Sequence, residues 1–228
     1  PASARAQAAY GELVIRNVPA DAPADEKALA LARAEAHCRN AERLDPTYEL
    51  PQLCHARLAA AREDWSAAYR RYAAALAVSP DRNAPTFAGL AETSLDLPGT
   101  PEATRTNLAL RHLSEGLAAY PYSPELHSTA GRIFHAVGQP ERAMAHYTKA
   151  LRLAPERPEA LLGHVSLLLD LGRPADATAL LLAERSAWLA ADPADRSALI
   201  ARHRDALRLF APSVILSADP VGALAHEP

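Results

Sequence analysis

The sequence has little of what a catalytic, metal-binding or membrane-spanning chain uses. Aromatic residues make up 5% of it, there are two cysteines, and Met144 is the only methionine in 228 residues. Lys27 and Lys149 are the only lysines beside many arginines, a bias that reads as GC-rich coding. No apolar run reaches the roughly 18 residues of a membrane helix, so membrane insertion is not expected. The net charge of -3 gives no long-range attraction to nucleic acid or anionic lipid, and nucleic acid is not expected as a partner. Cys38 and Cys54 lack CxxC spacing. The reading favoured is two buried free thiols on helices, with a disulfide as the alternative; neither fixes a compartment, so a cytoplasmic or periplasmic location stays open. The chain starts at Pro1 and is read as a trimmed or processed piece, from which any targeting segment could have been removed.

The motifs of chemistry are also missing. There is no phosphate loop, dinucleotide fingerprint, HExxH, calcium loop or zinc-type Cys/His spacing. His127 and His135 form the nearest pair of the nine histidines on one helix, and their eight-residue step is too long for a shared metal on one face. Acidic residues fall mostly in the first turns of helices, where the macrodipole favours them. No strand-turn-helix elbow frames a serine or cysteine nucleophile. No metal, no cofactor and no enzymatic activity are therefore expected.

What is present is a repeat. Hydrophobic residues make up 49% of the chain, with alanine prominent among them. Alanine favours helix and lets helices approach closely. Pro46, Pro80, Pro121 and Pro155 follow apolar helical stretches at spacings of 34, 41 and 34. Ala34, Ala68, Ala109, Ala143 and Ala177 run in step at 34, 41, 34 and 34. Four residues after each alanine stands a larger side chain: Cys38, Tyr72, Leu113, Tyr147 and Leu181. Three further on comes a small one in four cases, Ala41, Ala75, Gly116 and Ala150, with Glu184 in the fifth. A small residue lets a neighbouring helix cross closely, and a large one a turn later fills the space beside the crossing. Ser123-Pro124, Thr100-Pro101 and Asp192-Pro193 read as helix starts, and Gly138 and Gly172 as ends of first helices.

These signals predict helices near 3–16, 25–44, 48–62, 65–78, 84–96, 101–119, 124–136, 140–153, 158–171, 174–191 and 194–210. The seven extra residues between Pro80 and Pro121 fall around 95–100 and predict a longer loop. The final helix, with Arg196, Arg202, His203, Arg204 and Arg208, is expected to cap the array, a basic docking face being the minor alternative. The stretch Pro212–Leu216 is too short to make a sheet, and 212–228 reads as a poorly ordered tail. Tyr48, Tyr69, Tyr120 and Tyr122 are expected to staple helix ends.

Ala143-x3-Tyr147-x2-Ala150 with Pro155, and the preceding Gly131, Phe134 and Gly138, resemble one tetratricopeptide repeat; 64–80 shows the same second-helix pattern. The resemblance is strong over 48–80 and 123–156, fair over 84–121 and 158–190, and weak before residue 25. It implies an all-α, right-handed superhelical solenoid of antiparallel helix pairs. One domain over 1–211 is expected, with a divergent first repeat at 1–46 and others at 47–80, 81–121, 122–155 and 156–191. A capping helix at 192–211 would close it. The implied function is a non-catalytic scaffold that binds a protein or peptide in its concave groove; the alternative is the recruiting or sensing arm of a larger enzyme or signalling protein. First helices would line the groove, with Arg57, Glu92, Glu125, Ser128, Arg132, His135, Leu162, Ser166 and Asp170 as the partner-binding residues, beside Leu50, Leu53, Ala88, Leu95 and Glu159. Chaperone-binding members grip a C-terminal carboxylate with Lys, Asn and Arg. The matching places here hold Glu125, Ser128 and Arg132, with Arg57 earlier, so the Lys and Asn elements are missing.

Overall fold

The computed structural model describes residues 3–18, 22–78, 83–191 and 193–203, and every regular element among them is a helix. The chain divides into two compact halves, Pro1–Pro121 and Tyr122–Pro228. The first contains α1 (Ala4–Arg16), α2 (Ala24–Leu44), α3 (Glu49–Ala61), α4 (Trp65–Val78), α5 (Ala84–Leu95) and α6 (Glu102–Ala119). Consecutive helices pack as antiparallel pairs, α1 with α2, α3 with α4 and α5 with α6, and α2 also meets α3 as α4 meets α5. The second half contains α7 (Pro124–Ala136), α8 (Pro140–Leu153), α9 (Pro158–Asp170), α10 (Pro174–Ala183), α11 (Arg185–Ala190) and α12 (Pro193–Arg202). Here α7 pairs with α8 and α9 with α10, while α11 and α12 both lie against α9. The single helix expected over 174–191 is two, because the backbone turns at Glu184.

The alternation of small and large residues is what packs these pairs. Ala34, Ala68, Ala109, Ala143 and Ala177 are all fully buried. The larger residues one turn on, Cys38, Tyr72, Leu113, Tyr147 and Leu181, are buried too. Tyrosine needs a partner without a side chain. A Cβ on Gly89 would come within 2.3 Å of the Tyr72 ring, and one on Gly131 or Gly163 within 2.5 or 2.6 Å of Tyr147. Thus Tyr147 on α8 rests on bare backbone of both α7 and α9.

The cysteines correct the expectation of free thiols. Cys38 on α2 and Cys54 on α3 form a disulfide with their Cα atoms 5.6 Å apart, both completely buried. Cys54 follows Cys38 by 16 residues, the interval that separates Tyr147 from Gly163. The disulfide therefore fills the place that tyrosine and glycine fill elsewhere. On the other side Gly11 of α1 leaves room for the sulfurs, since a Cβ there would lie 2.6 Å from Cys54 Sγ.

Helix ends follow the sequence signals in most places. Ser123 accepts a hydrogen bond from the Leu126 N–H at the start of α7, and Asn83 caps α5 in the same way. Thr100 does not cap α6: Pro101 takes the N-cap position, with no side-chain bond. Gly138 and Gly172 end first helices at φ of +71° and +68°, and the next N–H in each case reaches back to the carbonyl five residues earlier. Glu63 occupies this place after α3 with φ of +59° and the same Asp64-to-Ala59 bond. A side chain in left-handed geometry is strained where glycine is not. Glu63→Gly is expected to raise stability by about 1 kcal/mol, read as a higher midpoint in urea denaturation.

The predicted loop is the turn after α5, with Gly99 at φ of +69°. Of the four tyrosines, Tyr48 and Tyr120 sit at helix caps. Tyr69 instead lies within α4 and reaches His112 on α6, and Tyr122 is 75% exposed beside Lys149. Leu199 of α12 joins the buried cluster of Leu161, Val165, Leu168 and Trp188, where Ile200 and Leu162 also pack. Pro80, Asp192, the Arg204 and Arg208 positions and the tail from 212 lie outside the described residues.

Candidate functional site

Within the second half, three of the expected site residues come together at the ends of first helices. His135 stands at the end of α7 and Asp170 at the end of α9, and His135 Nε2 lies 3.1 Å from Asp170 Oδ2. Arg202, the last residue of α12, places Nη2 3.3 Å from Asp170 Oδ2 and 3.4 Å from Oδ1. His203 Nε2 lies 3.9 Å from Asp170 Oδ1 and 3.5 Å from Ser166 Oγ. One carboxylate on α9, about 30% exposed, thus gathers donors from α7, from α12 and from the residue that follows α12. Burial of the His203 ring holds its pKa below the ordinary value; Asp170 opposes this, and Arg202 and His135 add to the lowering. Sequence reading placed His135, Ser166 and Asp170 on one face but had no signal for their closure by Arg202 and His203, which comes from 32 or more residues away.

The other expected residues are distributed differently. Arg132 is exposed on α7 and close enough to Tyr147 for its charge to favour the phenolate, against the burial that raises the phenol's pKa. Glu125 is half-buried at the start of α7. Ser128 is buried, and Leu162 is partly buried and packed against the core cluster. In the first half, Arg57 Nη1 bonds Glu12 Oε2 at 2.6 Å and donates to the buried Tyr72 hydroxyl, whose pKa is pushed up to about 12 by burial. Arg57 therefore belongs to the packing of α1, α3 and α4. Arg57 precedes Tyr72 by the same 15 residues that separate Arg132 from Tyr147, so the two arginines are in register. Glu92 is half-buried on α5, and its charge also bears on Tyr72.

Serine, histidine and aspartate in one cluster invite comparison with a nucleophilic triad. A triad needs the serine and the carboxylate on opposite ring nitrogens, so that the acid fixes the tautomer that takes the serine's proton. Here Ser166 and Asp170 both approach Nε2 of His203, which gives Asp170 no such role. Among the described residues there is no group of three or more His, Cys, Asp or Glu able to hold a metal ion, and no helix long and apolar enough to cross a membrane. The arrangement can present charge to a partner.

Two polar clusters had no sequence signal because they join separate helices. Glu42 on α2 receives His55 Nε2 at 3.1 Å, Arg71 at 3.2 Å and Gln52 at 3.2 Å. On α7 and α8, His127 and His146 face each other with Nδ1 atoms 2.9 Å apart and rings stacked, one donating and one accepting. Phe134 covers the other aromatic contact of His146, and Arg142 lies 3.9 Å from the centre of the Phe134 ring. Burial, with the charges of His127, Arg142 and Lys149 beside it, holds His146 down at about 4. The unfolded chain takes up this proton near pH 6.5, so it binds more protons than the folded chain between about 6.5 and 4, and stability falls as pH falls through that window. The ring being only partly buried, the loss is expected to be on the order of 1 kcal/mol. Thermal unfolding midpoints between about pH 7 and 5 should fall less steeply for His146→Gln than for the unaltered chain.

Comparison with known proteins fits this architecture. A family model described as tetratricopeptide repeat matches residues 134–199. No curated protein matches the chain by sequence. Among solved structures, a thermophilic TPR protein of Thermus thermophilus superposes with a TM-score of 0.70 at 20% identity, covering 90% of this chain and 99% of its own. PilW, a widely conserved type IV pilus biogenesis factor, gives 0.61 at 16% identity, covering 97% and 98%. PilF of Pseudomonas aeruginosa gives 0.56 at 18% identity, covering 98% of each.

Proposed function

We propose that this chain, which carries tetratricopeptide repeats, is an interaction scaffold with no catalysis of its own, and that its second half docks an extended peptide along the first-helix face. The observation that carries the reading is the Asp170 cluster: α9 supplies one partly exposed carboxylate, to which α7 brings His135 and α12 brings Arg202, with exposed Arg132 one turn before His135. The face offers a cationic position, then an acid ringed by bases. A peptide with an acidic residue for Arg132 and a basic one that competes with Arg202 for the exposed part of Asp170 complements it, and such charge matching sets register and specificity. In the first half Arg57 is committed to Glu12 and Tyr72, so the docking residues there are fewer.

A random peptide display library selected against the purified chain tests this. Recovered peptides should show the acid-base pattern, and Arg132→Glu or Asp170→Arg should weaken them by roughly tenfold or more. Arg152→Ala on α8 should leave binding unchanged. Peptides whose binding ignores both substitutions would place the interaction elsewhere.

A further inference from the structure

A cleft in the same half, lined by none of the Asp170 cluster, lies between the C-terminal parts of α8 and α10 where both meet α9. It has a volume of about 290 Å³ and is lined by Thr148, Leu151, Arg152, Pro155, His164, Leu180 and Glu184. Its floor is apolar: Leu151 is buried, and Leu180 packs against the same core cluster. Its rim carries one cation, one acid, one hydroxyl and one imidazole.

One of those groups is unsatisfied in a way that packing does not explain. His164 is only 8% exposed, and its ring is stacked on Tyr147 at 5.9 Å and 18°, which fixes its plane. Its Nδ1 is enclosed without a hydrogen-bond partner, and no described residue bonds the other ring nitrogen. A buried polar group without a partner is costly, and native structures keep few of them. Burial, with Arg173 nearby, lowers the pKa of the ring, so at neutral pH it offers one N–H and one lone pair rather than a charge. Arg152 is exposed and makes no ion pair among the described residues, although Glu184 lines the same cleft.

We propose that this cleft binds a small zwitterion, an apolar α-amino acid of about leucine's size. The ligand's side chain lies on Leu151, Pro155 and Leu180, its carboxylate meets Arg152 and Thr148 with His164 behind them, and its ammonium meets Glu184. The volume corresponds to roughly ten waters at ~30 Å³ each, which suits a ligand of about nine non-hydrogen atoms. A predominantly apolar pocket with a few convergent polar groups is the ordinary form of a small-molecule site. Leu171 and Tyr122 are more exposed apolar residues, but neither lines this cleft.

The test uses the full chain and leucine itself, followed by calorimetry and by the imidazole NMR signals of His164. Leucine should bind below about 10 mM and shift the His164 ring resonances. Leucinamide, which lacks the carboxylate, and N-acetyl-leucine, which lacks the ammonium, should each bind at least tenfold more weakly. Arg152→Ala and Glu184→Gln change exposed or half-exposed groups and should preserve the fold while weakening leucine by a similar factor. Absence of binding, equal binding of the three ligands, or leucine binding unaffected in both variants would overturn the proposal. Tight binding of a peptide ending in leucine but not of the free amino acid would also overturn it. The outcome is independent of the peptide-docking face, which shares no residue with the cleft.

Discussion

Tyr147→Ala is expected to destabilise the second half by about 3–5 kcal/mol, the range for losing a large buried aromatic ring. The ring is 1% exposed and lies against Gly131 of α7 and Gly163 of α9. Two glycines facing the vacated space have no side chains to relax into it, so the cavity stays open unless the helices move. Tyr147→Phe keeps the ring and should cost far less, which separates the packing of the ring from the environment of its hydroxyl. Gly163→Val in the unaltered chain forces a Cβ to within 2.6 Å of the ring and should cost about 1–3 kcal/mol. In the Tyr147→Ala background the valine enters empty space, so the double variant should be more stable than the sum of the two losses predicts. Trp188, 1% exposed in the same half, reports the transition by fluorescence once Trp65 of the first half is replaced by phenylalanine. Strict additivity of the two losses would mean that ring and glycine do not share one contact.

The tyrosine-glycine contact also explains why so much of the fold was legible in the sequence. Helix pairs stacked in series meet the same packing requirement at each step, so the requirement reappears in the sequence as a period. Ala143, Tyr147 and Ala150 repeat Ala68, Tyr72 and Ala75, and all six are buried. Gly138 and Gly172 were readable as helix ends because only glycine takes left-handed geometry without strain. Glu63 was not readable in this role, since nothing in its chemistry marks a positive φ. The charged sites followed another logic. His127 bonds His146 across two helices, and Asp170 meets Arg202 through a third. Such contacts depend on which helix ends the packing brings level, and a search for spacings within one helix passes over them. Arg57 shows the converse: expected on the groove face, it pairs with Glu12 and reaches the Tyr72 hydroxyl.

Removing the Cys38–Cys54 disulfide is expected to cost the first half about 3 kcal/mol, the loss expected for opening a loop of roughly fifteen residues. The bond closes the chain across the turn between α2 and α3, and Gly11 of α1 lies against both sulfurs. It therefore both restricts the unfolded chain and fills the space at a three-helix contact. Because neither cysteine is exposed, a folded chain should keep the bond in mild reductant and lose it readily once unfolded. Without reductant, thiol titration in denaturant should find no free cysteine; after reduction it should find two. Cys38→Ala with Cys54→Ala should reproduce the lower stability of the reduced chain and show no response to reductant. The double variant also opens the space beside α1, so Gly11→Ala, which places a Cβ 2.6 Å from Cys54 Sγ in the oxidised chain, should cost less there than in the oxidised chain, with the Ala34 carbonyl at 3.3 Å as the remaining close neighbour. Disulfides persist in oxidising compartments and are rare where thiols are kept reduced. A chain made in a reducing cytosol should accordingly show two thiols and the lower midpoint, and air oxidation of the folded material should raise that midpoint. Two free thiols in material oxidised before unfolding would show instead that the cysteines pack as separate small side chains.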